Sequence, residues 1–177
     1  MTEAATETEA RTAGTRPRKN PSPLRVILLK PSKYGRDGWV ERFRRGFMPN
    51  STLPHLAALT PAQVRGRAVE LVSIDEYIET DLNYLRWLGA ERGDCTLLAL
   101  VGVQSHQYQR ALDLAAYARH HGIDNIVIGG PHPITCDTRH EENRGVSFAI
   151  AEAELIWSRI LEDAVAGDGL QSLYGNE

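Results

Sequence analysis

The stretch Cys95–Val103 (CTLLALVGV) is apolar over nine residues with no polar alternation. A membrane-spanning helix requires about 20 such residues, so the run is too short to cross a bilayer. An antiparallel strand with one wet face alternates between apolar and polar side chains. A strand covered on both faces does not, and that is the signature of a parallel sheet packed between helices. A second run, Leu24–Lys30 (LRVILLK), has the same character and stops at Pro31. Two buried strands of this kind commit the chain to a layered α/β architecture.

The remaining pattern agrees. Val69–Ile74, Asn125–Ile128 and Val146–Ile150 read as three further strands. Asn50 or Ser51 caps a short helix carrying Leu53, Leu56 and Ala57, which ends near Thr60-Pro61. Asp81 caps a helix with Leu82, Leu85 and Leu88 inward. Ser105 caps another, with Tyr108, Ala111, Leu112, Ala115 and Ala118 on its apolar face and Gly122 at its end. A last helix, from about Glu152 to Val165, buries Ala153, Ile156, Trp157, Ile160, Leu161 and Ala164. Alternating strands and helices predict a flavodoxin-like, doubly wound, five-stranded parallel sheet of order 2-1-3-4-5 with helices on both faces.

Residues 1–23 contain no Leu, Ile, Val, Phe, Trp or Tyr and hold three of the nine prolines, which predicts a disordered tail ahead of one domain, 24–177. The basic cluster Arg16, Arg18 and Lys19 fits a solvated tail. A formal charge of −3 removes the electrostatic case for nucleic acid. Two cysteines, Cys95 and Cys136, do not form a disulfide framework, and no signal-like segment opens the chain. A cytoplasmic protein with no membrane partner is expected.

On a doubly wound sheet, ligands sit beyond the carboxyl ends of the strands. The chemistry should then lie in four loops: Pro31–Asn50, Gly102–Gln107, Gly129–Thr135 and Ala151–Glu154. None holds a GxxxxGK[ST] or GxGxxG phosphate cradle. Pro31-Ser32-Lys33-Tyr34 is poor in the hydroxyl and glycine residues that an FMN phosphate would need, and strand 3 lacks a phosphoacceptor Asp. His132, Cys136 and His140 fall at i, i+4 and i+8, a metal pattern that Pro133 interrupts. His120-His121 fits a helix C-terminus, where a cation complements the dipole. Cys95 reads as a small hydrophobe, and Cys136 has no partner motif for catalysis. The tract Gly129-Gly130-Pro131-His132-Pro133 is more informative, because paired glycines at a strand end mark a tight turn or a close approach to the backbone. Ala151-Glu152-Ala153-Glu154 by itself marks a helix start.

Taken together, the tracts LRVILLKPSKYGRDGWVERFRRGFMPNSTLPHLAALTP, VELVSIDEY, LLALVGVQSHQYQRALDLAAYARHHG, IVIGGPHPIT and AIAEAELIWSRILEDAVAGDGLQSLYG resemble the N-terminal cobalamin (B12)-binding domain of B12-dependent radical SAM enzymes. The likeness extends from Leu24 to about Gly175, with Ala151 and Ala153 where the family has glycines in a GEGE-like stretch. The resemblance implies cobalamin over the carboxyl ends of the strands. Ser32, Tyr34, Gly35 and Gly38 would lie beneath the corrin, and Gly102, Val103 and Ser105 along the nucleotide tail. Gly129 and Gly130 would make room for the displaced dimethylbenzimidazole, with Pro131 and His132 beside it. Glu152 and Ala153 would reach the corrin rim. A bulky residue at Gly130 would then remove cobalamin and leave the fold intact.

Lys33-Tyr34-Gly35-Arg36-Asp37-Gly38 has no His where the better-known Asp-x-His-x-x-Gly cobalamin motif supplies one to cobalt, so the resemblance implies base-off cobalamin without a His ligand. A radical SAM cluster needs a CxxxCxxC triplet, and two cysteines 41 residues apart cannot supply it. The expectation is a cobalamin-binding module, without an iron–sulfur cluster or enzymatic activity of its own, that serves a radical SAM protein in trans or is a truncated member. The alternative is a degenerate interaction domain that keeps the fold and has lost the cofactor. A third reading gathers His106, His132 and Glu152 into a catalytic site, for which no nucleophile, base and orienting group can be assembled.

Overall fold

A computed structural model describes residues 22–43, 51–81, 83–88, 95–138 and 145–175. Apart from Ser22 and Pro23, the expected tail lies outside them, as do Asn50, Leu82 and His140. The elements in chain order are β1 (Leu24–Lys30), α1 (Thr52–Leu59), β2 (Gln63–Val64), β3 (Arg67–Asp75), β4 (Cys95–Leu100), α2 (Tyr108–His120), β5 (Asn125–Gly129), α3 (Pro131–Thr135), β6 (Ser147–Ala149), α4 (Ala153–Ala166) and β7 (Leu173–Tyr174). Two 3-10 turns, Tyr84–Leu88 and Ser105–Gln107, precede β4 and α2.

The fold is α/β, and its sheet corrects the expected strand count and order. Seven strands run β2-β3-β1-β4-β5-β6-β7, with β2 antiparallel and the other pairings parallel. Two short edge strands have been added to the five that were expected. β2 arises from a hairpin turn at Arg65 (φ 47°) and Gly66 (φ 79°). Two consecutive positive φ values match the right-handed twist of a tight hairpin, which is ordinarily signalled by Asn-Gly or Asp-Gly rather than Arg-Gly. β7 exists because Tyr174 docks with no exposure and its hydroxyl donates to Asp163 at 2.8 Å.

Side chains of β1 alternate between two cores. Ile27 and Leu29 join Leu98, Leu100, Ile126 and Ile128 beneath α2 and the Tyr84–Leu88 turn. Leu24, Val26 and Leu28 join Leu97, Ala99 and Val127 beneath α1 and α4. Helices therefore cover both faces, which is why neither β1 nor β4 shows polar alternation.

Of the expected boundaries that move, three have a clear local cause. β4 ends at Leu100 instead of Val103, because Gly102 (φ 61°) turns the chain and the Val103 N–H donates to the Gly129 carbonyl at 3.0 Å. The helix expected after Asp81 is a 3-10 turn with Tyr84 and Leu88 buried, although the Asp81 carboxylate still accepts from the Asn83 N–H at 2.9 Å. Ser105 opens a 3-10 turn rather than capping α2, and the Gln107 side chain accepts from the Gln104 N–H at 2.9 Å. Among the described residues no helix is long and apolar enough to cross a membrane.

Candidate functional site

Parallel strands bring the loops after β1, β4, β5 and β6 to one end of the sheet. On the face covered by α1 and α4, that end holds a cavity of about 460 Å³. This is within the range of small-molecule sites, roughly 300–1,000 Å³. Its inner wall is aliphatic: Ala99, Val127 and Ala149 from the strands, Ile156 and Ile160 from α4. The small side chains on adjacent strands leave the space, since a larger residue at any of them would occupy it.

The rim is polar. Ser51, Thr52 and His55 come from the N-cap and first turn of α1, Glu152 and Glu154 from the N-cap and first turn of α4. His55 Nε2 lies 2.7 Å from Glu154 Oε1, a half-exposed pair that ties the two helices together across the opening. The Glu154 carboxyl is held below its ordinary value by its own backbone N–H and then by His55. Deeper in, the Trp157 indole N–H donates to Thr60 Oγ1 at 3.0 Å, a second tie between α4 and the end of α1.

Of the residues singled out in the sequence, Gly102, Gly129, Gly130, Pro131, Glu152 and Ala153 line this cavity. They come from three loops far apart in the chain. The others do not line it. Val103 is fully buried in the opposite core. Ser105 Oγ lies 3.1 Å from His132 Nδ1, and the His132 ring packs on Tyr108 with centroids 3.9 Å apart. Burial there lowers the His132 pKa. His132 thus turns to the α2 side while its neighbour Pro131 faces the cavity. His106 is exposed on its 3-10 turn, so the trio His106, His132 and Glu152 is not assembled at the cavity.

Gly130 lines the cavity and also has a role in the fold itself. At φ 133°, a Cβ on it would lie 2.3 Å from the Val103 nitrogen and 2.7 Å from the Gly102 carbonyl carbon. The missing side chain makes room for the neighbouring loop's backbone. The His132 N–H donates to the Val103 carbonyl at 2.9 Å and completes this seam. A bulky residue at Gly130 would therefore strike backbone, contrary to the expectation that the fold would stay intact.

Ser32, Tyr34, Gly35 and Gly38 belong to a separate structure. Tyr34 and Val40 form an antiparallel bridge, and the Gly35 N–H donates to the Trp39 carbonyl at 2.7 Å. Beneath this small hairpin lies a buried ionic network that sequence reasoning missed. Glu76, with a fully buried side chain, receives the Ser32 N–H at 2.8 Å, the Tyr84 hydroxyl and a forked Arg110 guanidinium at 2.5–3.2 Å. Arg110 also donates to the Tyr34 hydroxyl at 3.2 Å, and Tyr34 donates to Asp113 at 2.6 Å. Burial and the Glu76 hydrogen bond push the Tyr84 phenol up to about 12. Burial and Asp113 also raise Tyr34, against the pull of Arg110. One signal was present: Arg110 precedes Leu114 by one helical turn and so falls on the inward stripe of α2, where a charge requires a buried partner.

Comparison of the chain with protein-family models, curated proteins and solved structures gave no match. What the site can do rests on its own chemistry. Among its lining residues the ionisable side chains are His55, Glu152 and Glu154, and the first and last already face each other. That is a poor set for acid–base catalysis, and the aliphatic wall suits a largely apolar group. Of the metal pattern, α3 ends at Thr135 and Cys136 is extended, while His140 lies outside the described residues. Among the described residues no three His, Cys, Asp or Glu side chains are grouped to hold a metal ion.

Proposed function

We propose that this protein is a cobalamin-binding module on a flavodoxin-like sheet, with the nucleotide tail of base-off cobalamin entering the cavity between α1 and α4. The observation that carries the reading is the convergence on one apolar cavity of Gly102, Gly129, Gly130, Pro131, Glu152 and Ala153. Those residues lie in three of the tracts that resemble cobalamin-binding domains. The aliphatic wall would give a benzimidazole ring apolar contact, and the small side chains of Ala99 and Ala149 leave room beside the strands.

The corrin would lie over the same end of the sheet, above the Tyr34–Val40 hairpin, where Trp39 is 77% exposed. Lys33 and Glu41 pair at 3.3 Å beneath that surface, and the hairpin contributes no histidine. On this reading cobalt is held without an imidazole from this chain. Cobalamin would supply a methyl-carrying cobalt centre to a radical SAM enzyme. The iron–sulfur cluster would reside elsewhere, on a partner or on a further stretch of the same polypeptide. This chain's own part is to bind the tail, orient the corrin and shield its lower face from water.

The test is retention of colour. Protein incubated with hydroxocobalamin under reducing conditions and desalted should keep a base-off corrin spectrum. Ala149→Leu, which fills the cavity from β6, should lose at least tenfold in affinity with a melting temperature within a few degrees of wild type. A folded wild-type protein that emerges colourless overturns the proposal and leaves an interaction domain without cofactor.

A further inference from the structure

β1 ends in a lysine whose surroundings are unusual. Lys30 is half-buried, and among the described residues no carboxylate lies within ion-pair distance of it. Its register partner Asp75 attracts it from a distance but spends its own Oδ1 on the Tyr77 N–H at 3.1 Å. The ammonium ends close to backbone. It lies over Gly102: a Cβ on that residue would stand 3.2 Å from Lys30 Nζ and 3.2 Å from Thr52 Oγ1. Gly102 and Thr52 both line the cavity. The cation and a hydroxyl thus converge on one point of the rim, and the absence of a side chain at Gly102 (φ 61°) keeps that point open.

The energetics favour an anionic guest. Burial pulls the Lys30 ammonium below its ordinary pKa, which means the charged form is under-solvated where it sits. An anion arriving there would regain for the ammonium what the missing carboxylate does not supply. The rim's uncommitted acid, Glu152, stands after β6, three strand spacings from β1, or about 14 Å. Glu154 is engaged by His55. The Lys30 corner is therefore the cationic end of the opening.

We propose that Lys30, with Thr52 and the open backbone at Gly102, forms a phosphodiester subsite at the mouth of the cavity. It would hold the phosphate of a ligand whose heterocycle fills the apolar interior. The inference rests on the cobalamin reading, in which that phosphate is the one joining the nucleotide to the corrin side chain. It goes beyond that reading by assigning the charge that recognises the tail. The lysine acts by a charge-assisted hydrogen bond to a phosphate oxygen, as a point donor rather than a planar fork.

The experiment compares two probes on the full chain. Hydroxocobalamin carries the nucleotide and its phosphate; cobinamide keeps the corrin and lacks both. Wild type should bind hydroxocobalamin more tightly. Lys30→Met, close in length and uncharged, should weaken hydroxocobalamin about tenfold to a hundredfold and leave cobinamide unchanged. Its melting temperature, measured alongside, should stay within a few degrees of wild type. The hydroxocobalamin deficit should also shrink at high salt, since the lost contact is ionic. Equal hydroxocobalamin binding by wild type and Lys30→Met, or an equal loss for both probes, overturns the subsite and leaves the cobalamin reading standing. If wild type binds neither probe, the cobalamin reading fails and the subsite falls with it.

Discussion

Replacing Arg110 with methionine is expected to destabilise the protein by about 3–5 kcal/mol, the largest loss expected from any single charge among the described residues. The reason is Glu76. Its side chain is 0% exposed, and the guanidinium is the charge facing it. Removing one member of a buried ion pair leaves the other desolvated and uncompensated, which is worse than never having had the pair. The double replacement Glu76→Gln with Arg110→Met should therefore recover much of the loss. Chemical denaturation of the two variants decides the matter. A single Arg110→Met variant within about 1 kcal/mol of wild type would show that water reaches Glu76 and that the network is not a buried one.

The same network predicts a response to alkali. The Tyr84 phenol is raised from 10.0 to about 12, first by burial and then by its bond to Glu76. A folded-state pKa above the unfolded one means the neutral phenol stabilises the fold below pH 10, and that contribution disappears as the pH climbs towards 12. Stability measured across this window should fall more steeply for wild type than for Tyr84→Phe, which cannot ionise. Parallel slopes would exclude Tyr84 as the titrating group.

The second large effect is at Gly130. Gly130→Val should destabilise by about 3 kcal/mol or more, because strain and overlap act together. The φ of 133° is poorly tolerated by any L side chain, and the Cβ would sit 2.3 Å from the Val103 nitrogen. Gly38→Ala is the control: its φ is 82°, but nothing lies within 4 Å of the added carbon. That variant should lose only about 1 kcal/mol, from strain alone. If the two variants melt together, the seam between the β4 and β5 loops yields readily, and Gly130 is open to the role in cofactor accommodation that the sequence suggested.

Much of the architecture was legible because burial leaves a period in the sequence. Leu24–Lys30 reads as a strand from its composition alone, and the five buried positions Ile156, Trp157, Ile160, Leu161 and Ala164 of α4 follow from helical spacing. The edges were not legible. A two-residue strand has no period, so β2 and β7 depend on a hairpin at Arg65-Gly66 and on where Tyr174 lands. The site divides in the same way. Six of its cavity residues were recognisable by their loops, but Thr52, His55 and Trp157 come from helix positions that look ordinary in sequence.

Local chemistry therefore determined the α/β class, the helices on both faces and the end of the sheet where a ligand would sit. These follow from side-chain periodicity and from right-handed crossovers, which any chain of this pattern must obey. The tertiary structure decided which residues meet. Gly130 packs against the Val103 backbone, Glu76 meets Arg110 across 34 residues, and Lys30 comes to rest over Gly102. Each of these is a contact between groups distant in sequence, and its energy depends on distance and burial that only the folded chain supplies.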